Sequence, residues 1–184
     1  MKDFKFIVFL FIFGIISIPL RHWIFSKEKN ISFYRSSPIE NKNIPDCLKV
    51  FYAIEKYSDK YQIPIRYAFG IAYMETRYTG PLTWDYNAKQ RSYKGALGPM
   101  QIMPLTANLI WNEEIPKDKI IHDIDFNIET SMKLLKILYE KYKNWKIVFG
   151  CYNTGKSIVN GYAESVYNFK IEKNNLAIYK YQNY

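Results

Sequence analysis

Glu75 is the residue whose setting most suggests chemistry. Ala68, Ile71, Ala72 and Glu75 fall at i, i+3, i+4 and i+7, one face of a helix. A carboxylate is thus placed on the continuation of an apolar stripe. Burial without full compensation disfavours the charged form and raises the pKa, which suits a general acid near neutral pH. The alternative is an ordinary carboxylate at a helix end, hydrated or paired with Arg77. Two positions apart on a helix, Glu75 and Arg77 do not face each other, which weakens that pairing. Asp85 and Asp123 are candidates for a second carboxylate in a hydrolytic reaction, with turn or cap roles as the plainer reading. Two cysteines, Cys47 and Cys151, and two histidines, His22 and His122, make no metal-ligand cluster. No Gly-rich phosphate loop is present, so neither metal nor cofactor is expected. Cys47 and Cys151 either pair in an oxidising compartment or stay buried thiols.

The elements that must position Glu75 read as helices. Pro45-Asp46 opens an amphipathic helix to about Tyr61, with Leu48, Phe51, Tyr52, Ile54 and Tyr57 inward. Pro64 begins a second helix over Ile65–Arg77. Its stretch Tyr67–Met74 has no charge on any face, the mark of a buried helix. A loop follows from Gly80 to about Gly98, with room for a small β-hairpin. A short helix is expected near Leu105–Trp111, then irregular chain over 112–126. Asn127 is the expected N-cap of a helix over Ile128–Tyr142, striped by Met132, Leu135, Leu138, Tyr139 and Tyr142. Trp145–Asn153 and about Tyr162–Phe169 are the last two helices, with Gly155 ending the first of them. The fold class is therefore all-α.

Ahead of this body, Lys2 and Lys5 precede Phe6–Leu20, fifteen residues without a charge. That length suits a signal-peptide apolar region and is short for a span. No small-x-small cleavage site follows, and Trp23, Ile24 and Phe25 extend the run if Arg21 snorkels. Residues 1–25 are read as an uncleaved anchor, with a cleaved signal peptide as the alternative. Residues 26–44 are polar and non-periodic, a tether. Residues 45–184 would then lie outside the cytoplasm. Lysines near both ends of the run leave the charge rule undecided on orientation.

The chain has 184 residues, 48% apolar and 23% charged, which excludes disordered and collagen-like classes. Its net charge is +9. Residues 1–44 hold seven basic against three acidic side chains, and the rest nineteen against fourteen. Such a diffuse positive field favours anionic partners without choosing among them. A nucleic-acid binder would need a clustered basic face, which the sequence does not show.

Three ordered motifs carry a resemblance. They are Glu75-Thr76, the run Gly95-Ala96-Leu97-Gly98-Pro99-Met100-Gln101-Ile102-Met103-Pro104, and Cys151-Tyr152-Asn153-Thr154-Gly155. Between them lie Thr106-Ala107, then Asp125 with Asn127-Ile128. Tyr162-Ala163-Glu164-Ser165-Val166 closes the series. Together these resemble the soluble-lytic-transglycosylase-type domains, over about Leu48 to Phe169. The resemblance implies a lysozyme-like helical fold and cleavage of peptidoglycan glycan strands between N-acetylmuramic acid and N-acetylglucosamine.

By the same resemblance, Glu75 would be the sole catalytic acid, then base, leaving a 1,6-anhydro end. An internal hydroxyl replaces water as the attacking group, so no second carboxylate is needed. Met100 and Gln101 would line the cleft beside the scissile bond. Tyr152 would sit close to Glu75, and Asn153 would hold the local network. Tyr162 would wall the sugar subsites, and Ser92 would bond the N-acetyl group. Thr76 stands where the family usually has serine, and counts among the substrate-side residues. Pro99 replaces leucine and stiffens its loop. Cys151 replaces alanine. The segment Tyr78–Arg91 is longer than usual and carries Trp84, Asp85 and Tyr86. The alternatives are a lysozyme-type muramidase of the same fold and a non-catalytic wall-binding part of an envelope-spanning machine with protein partners.

Overall fold

The computed structural model describes residues 44–171. The anchor and almost all of the tether expected over 1–44 lie outside the described residues. The described part is helical, as expected. Helices α1 (Asp46–Tyr61), α2 (Ile65–Thr76), α3 (Pro104–Trp111), α4 (Lys117–His122), α5 (Ile124–Tyr142), α6 (Trp145–Thr154) and α7 (Gly161–Tyr167) follow in chain order.

The two longest helices, α1 and α5, pack on each other, and α2 lies between α1 and α7. Val50, Phe51, Ile54 and Tyr57 of α1 are buried, at the spacing of one helical face. The chain leaves α1 through Gln62, which takes a left-handed conformation, and Pro64 starts α2. The middle of helix α2 is buried all round: Tyr67, Ala68, Phe69, Ile71 and Ala72 are each at most 5% exposed. Fully burying one large apolar side chain contributes about 1.5–3 kcal/mol. This helix is therefore fixed by the core on every side, and so is whatever its last turn carries. Tyr67 packs edge-on to Phe149 at 4.9 Å and lies 5.0 Å from Trp145, joining α2 to α6.

Three expectations change. Residues 112–126 are not irregular throughout, because they contain α4 and the start of α5. Asp123, not Asn127, caps α5, its carboxylate accepting the Phe126 N–H at 2.9 Å. Asn127 is instead fully buried within α5. The hairpin expected within 80–98 is reduced to isolated antiparallel bridges of Leu97 with Arg91 and with Ile102. Cys47 and Cys151 are both free thiols, the first buried and the second half-buried. No helix of the described residues is long and apolar enough to cross a membrane.

Gly150 lets the last two helices close. A Cβ there would stand 1.6 Å from the Ile158 carbonyl oxygen, so only glycine admits the returning loop. Asn160 then caps α7, accepting from the Ala163 N–H at 2.9 Å, while its amide donates to Asn153 Oδ1 at 3.1 Å. The end of α6 and the start of α7 are thereby tied together, two residues before Tyr162.

Candidate active site

Helix α2 stops immediately after Glu75 and Thr76. Arg77 turns left-handed (φ 60°) and its N–H bonds the Tyr73 carbonyl at 3.0 Å. The last turn thus delivers Glu75 at the edge of the core, half-buried. The Tyr162 hydroxyl of α7 donates to Glu75 Oε1 at 2.6 Å. Among the described residues this is the one hydrogen bond to that carboxylate, and no cation lies within ion-pair distance of it. Arg77 instead lies over the Tyr73 ring.

Burial pushes the Glu75 pKa above the ordinary carboxyl range, and the Tyr162 bond partly offsets it. No second carboxylate contributes to this shift. Asp123 is occupied as the α5 cap, and Asp85 lies exposed in the loop. Burial, then the Glu75 charge, holds the Tyr162 and Tyr152 phenols well above their usual range. Both tyrosines are therefore neutral at neutral pH and can donate.

A tight turn, Gly98–Gln101, lies beside the end of α2. Leu97 and Ile102 exchange N–H···O bonds at 3.0 and 2.9 Å across it. Gly98 (φ 76°) and Gln101 (φ 51°) are both left-handed. Three side chains hold the turn. Asn127 accepts from the Met100 N–H at 3.1 Å and donates to the Leu97 and Ile120 carbonyls at 2.9 and 3.0 Å. The Tyr152 hydroxyl donates to the Met100 carbonyl at 2.7 Å. That leaves Ser131 to donate to Tyr152, at 2.6 Å. The Thr76 hydroxyl reaches the Pro99 carbonyl at 2.9 Å.

The residues expected on the substrate side do not all meet at Glu75. Glu75, Tyr162 and Tyr152 come together, since both tyrosines feel the Glu75 charge. Tyr162, expected as a wall of the sugar subsites, touches the carboxylate itself. Gln101 lies on the turn, its amide donating to the Gly98 carbonyl at 2.8 Å. Ser92 accepts the Ala96 N–H at 2.9 Å and so shapes the preceding turn. Asn153 is exposed and bonded to Asn160. Met100 is fully buried and Thr76 is 5% exposed. The Thr76 hydroxyl bonds the turn at Pro99, and Met100 meets Asn127 and Tyr152 through its peptide groups. Sequence reasoning reads Asn127 as a helix cap and does not name Ser131; here Asn127 holds the turn directly and Ser131 does so through Tyr152.

The chain belongs to the transglycosylase SLT domain family, whose model matches residues 52–175. Its all-α architecture is the lysozyme-like one of that family. Among solved structures, the chain is similar to the 70 kDa soluble lytic transglycosylase SLT70 from Escherichia coli. That match has 26% identity and a TM-score of 0.49, covering 63% of this chain and 18% of that one. A complex of the 70-kDa soluble lytic transglycosylase with bulgecin A is similar at 27% identity and a TM-score of 0.48, over 63% and 18%. An inactive mutant of the lytic transglycosylase Slt from Pseudomonas aeruginosa is similar at 18% identity and a TM-score of 0.47, over 64% and 17%. The chain therefore spans less than a fifth of the length of these proteins. No curated protein matches it.

Proposed function

We propose that this domain is a peptidoglycan lytic transglycosylase in which Glu75 acts first as general acid and then as general base. The observation that carries the reading is a single carboxyl, raised in pKa by burial and hydrogen-bonded by a neutral tyrosine. Its substrate would be the glycan strand, cut between N-acetylmuramic acid and N-acetylglucosamine. With Oε1 taking the Tyr162 hydroxyl, the proton is steered to Oε2. From there it passes to the glycosidic oxygen as the bond to the anomeric carbon breaks. The carboxylate so formed then takes the proton of the muramic 6-hydroxyl as that oxygen bonds the anomeric carbon. The product is a 1,6-anhydro end. One group suffices for both steps because the attacking hydroxyl belongs to the substrate itself. Gln101, Ser92 and Asn153 are proposed to meet the sugars around this centre. The place of work is the cell envelope outside the cytoplasm, with residues 1–25 holding the chain to the membrane.

Products decide the reaction. Mass spectrometry of muropeptides released from purified peptidoglycan is expected to show anhydro-muramic ends. Reducing ends instead would overturn the transglycosylase reading in favour of a muramidase, and would require water activated by a second carboxylate. No release would favour the wall-binding alternative.

Tyr162→Phe is a second test. Losing the donor removes the interaction that favours the carboxylate, so the Glu75 pKa rises further. Turnover is expected to fall about tenfold, and the high-pH limb of the rate profile to move to higher pH. A limb that stays in place or moves lower would contradict this assignment.

A further inference from the structure

The segment between α2 and the Gly98–Gln101 turn does more than connect them. Tyr86, in its middle, is half-buried, 5.0 Å from the buried Tyr78 ring. Its hydroxyl lies 2.8 Å from Thr76 Oγ1. That oxygen also lies 3.1 Å from the Ala72 carbonyl and 2.9 Å from the Pro99 carbonyl. A hydroxyl has one proton and two acceptor sites. Thr76 can only donate to the carbonyls, so its bond with Tyr86 is best formed with Tyr86 as donor. The direction runs Tyr86 to Thr76 to the carbonyls of α2 and of the turn. Burial pushes the Tyr86 phenol up to about 12, which keeps it a donor at neutral pH. Four residues on, the Gln90 amide donates to the Thr76 carbonyl at 3.3 Å and to the Asn87 carbonyl at 3.0 Å. The Gln90 carbonyl in turn accepts the Gly98 N–H at 2.8 Å and the Gln101 amide at 3.4 Å. Gln90 thus binds Thr76, the residue next to Glu75, on one side and the turn on the other, while Tyr86 reaches the turn only through Thr76.

We propose that Tyr86 is a positioning residue: through Thr76 it locks the last turn of the Glu75 helix to the Gly98–Gln101 turn, with Gln90 as a parallel strut. The inference rests on the transglycosylase reading for its effect on turnover, though not for its effect on the turn. With the Tyr86 donor gone, Thr76 is no longer held from that side, and the link to Pro99 loosens. The gap between the acid and the turn then varies by fractions of an ångström, which catalysis by a positioned acid does not tolerate. Substrate contacts along the strand are untouched.

Two measurements on the full chain test this. Hydrogen exchange by mass spectrometry is expected to show residues 95–103 exchanging about tenfold faster in Tyr86→Phe, while α5 and α6 keep the wild-type rates. Muropeptide release from purified peptidoglycan is expected to show kcat about tenfold lower with KM unchanged. In a Thr76→Val background, Tyr86→Phe is expected to add almost nothing, since the middle of the chain of bonds is already missing. Thr76→Val alone must also speed exchange in 95–103, which keeps the test open should Tyr86→Phe not fold. Unchanged exchange in that segment overturns the proposal, as does faster exchange with wild-type kcat, or additivity of the two substitutions. If the wild-type chain releases nothing, the transglycosylase reading fails, and the exchange result alone still decides whether Tyr86 holds the turn.

Discussion

Glu75→Gln is expected to lower turnover on purified peptidoglycan by about a thousandfold, the scale of removing a positioned general acid. The amide keeps the volume and can still accept from Tyr162, so the pocket is preserved while the transferable proton is lost. Wild-type rates should fall as pH rises through the raised Glu75 pKa, because the reaction starts from the protonated form. That limb must be absent from whatever activity Glu75→Gln retains. A residual rate within tenfold of wild type would remove Glu75 from the mechanism.

The same burial has an opposite sign for stability. A carboxyl whose folded pKa lies above its unfolded value binds more protons folded than unfolded. Its contribution is fully present below the unfolded value and is lost as pH rises through the folded one. Above the folded value the charged Glu75 therefore weakens the fold. Glu75→Gln should be the more stable protein above that window, and the difference should shrink towards acid. A thermal midpoint measured across pH checks both statements. Higher stability with lost activity is what a functional carboxylate on an otherwise apolar helix predicts.

Much of this was legible because it depends on periodicity. A stretch with no charge on any face, Tyr67–Met74, had to be buried, and a carboxylate directly after it had to be anomalous. The start of α5 was misread because Asn127 has the chemistry of a cap, and sequence cannot tell a side chain turned back to its own helix end from one turned across to a loop. Asp123 could have been preferred, since a first turn beginning at Ile124 keeps Phe126 and Ile128 on buried faces. Tyr86 was illegible for a different reason. It is one of 17 tyrosines, and what separates it from the rest is a single oxygen 10 residues away along the chain. The same holds for Met100, whose side chain fills the core while its peptide group does the work at the site.

Asn127→Leu is expected to cost about 3 kcal/mol or more, one of the largest stability losses available in the described residues. The amide makes three bonds in a fully buried position. The Leu97 carbonyl would keep its bond from the Ile102 N–H. The Met100 N–H and the Ile120 carbonyl would lose the bonds that Asn127 supplies, and a buried polar group left unpaired costs about 1–3 kcal/mol. Gly98 makes the position stricter. A Cβ at Gly98 would lie 2.4 Å from the Asn127 amide nitrogen, in a conformation that side chains rarely adopt. Gly98→Ala should therefore destabilise as well, and the pair should be non-additive because both act on one contact. Urea unfolding midpoints measure all three proteins. A loss below about 1 kcal/mol for Asn127→Leu would mean that the turn is held without it, and that Tyr152 and Thr76 carry the Gly98–Gln101 geometry alone. If the larger loss is found, turnover should fall further than the folded fraction does, since the turn beside Glu75 is the first structure the missing amide releases.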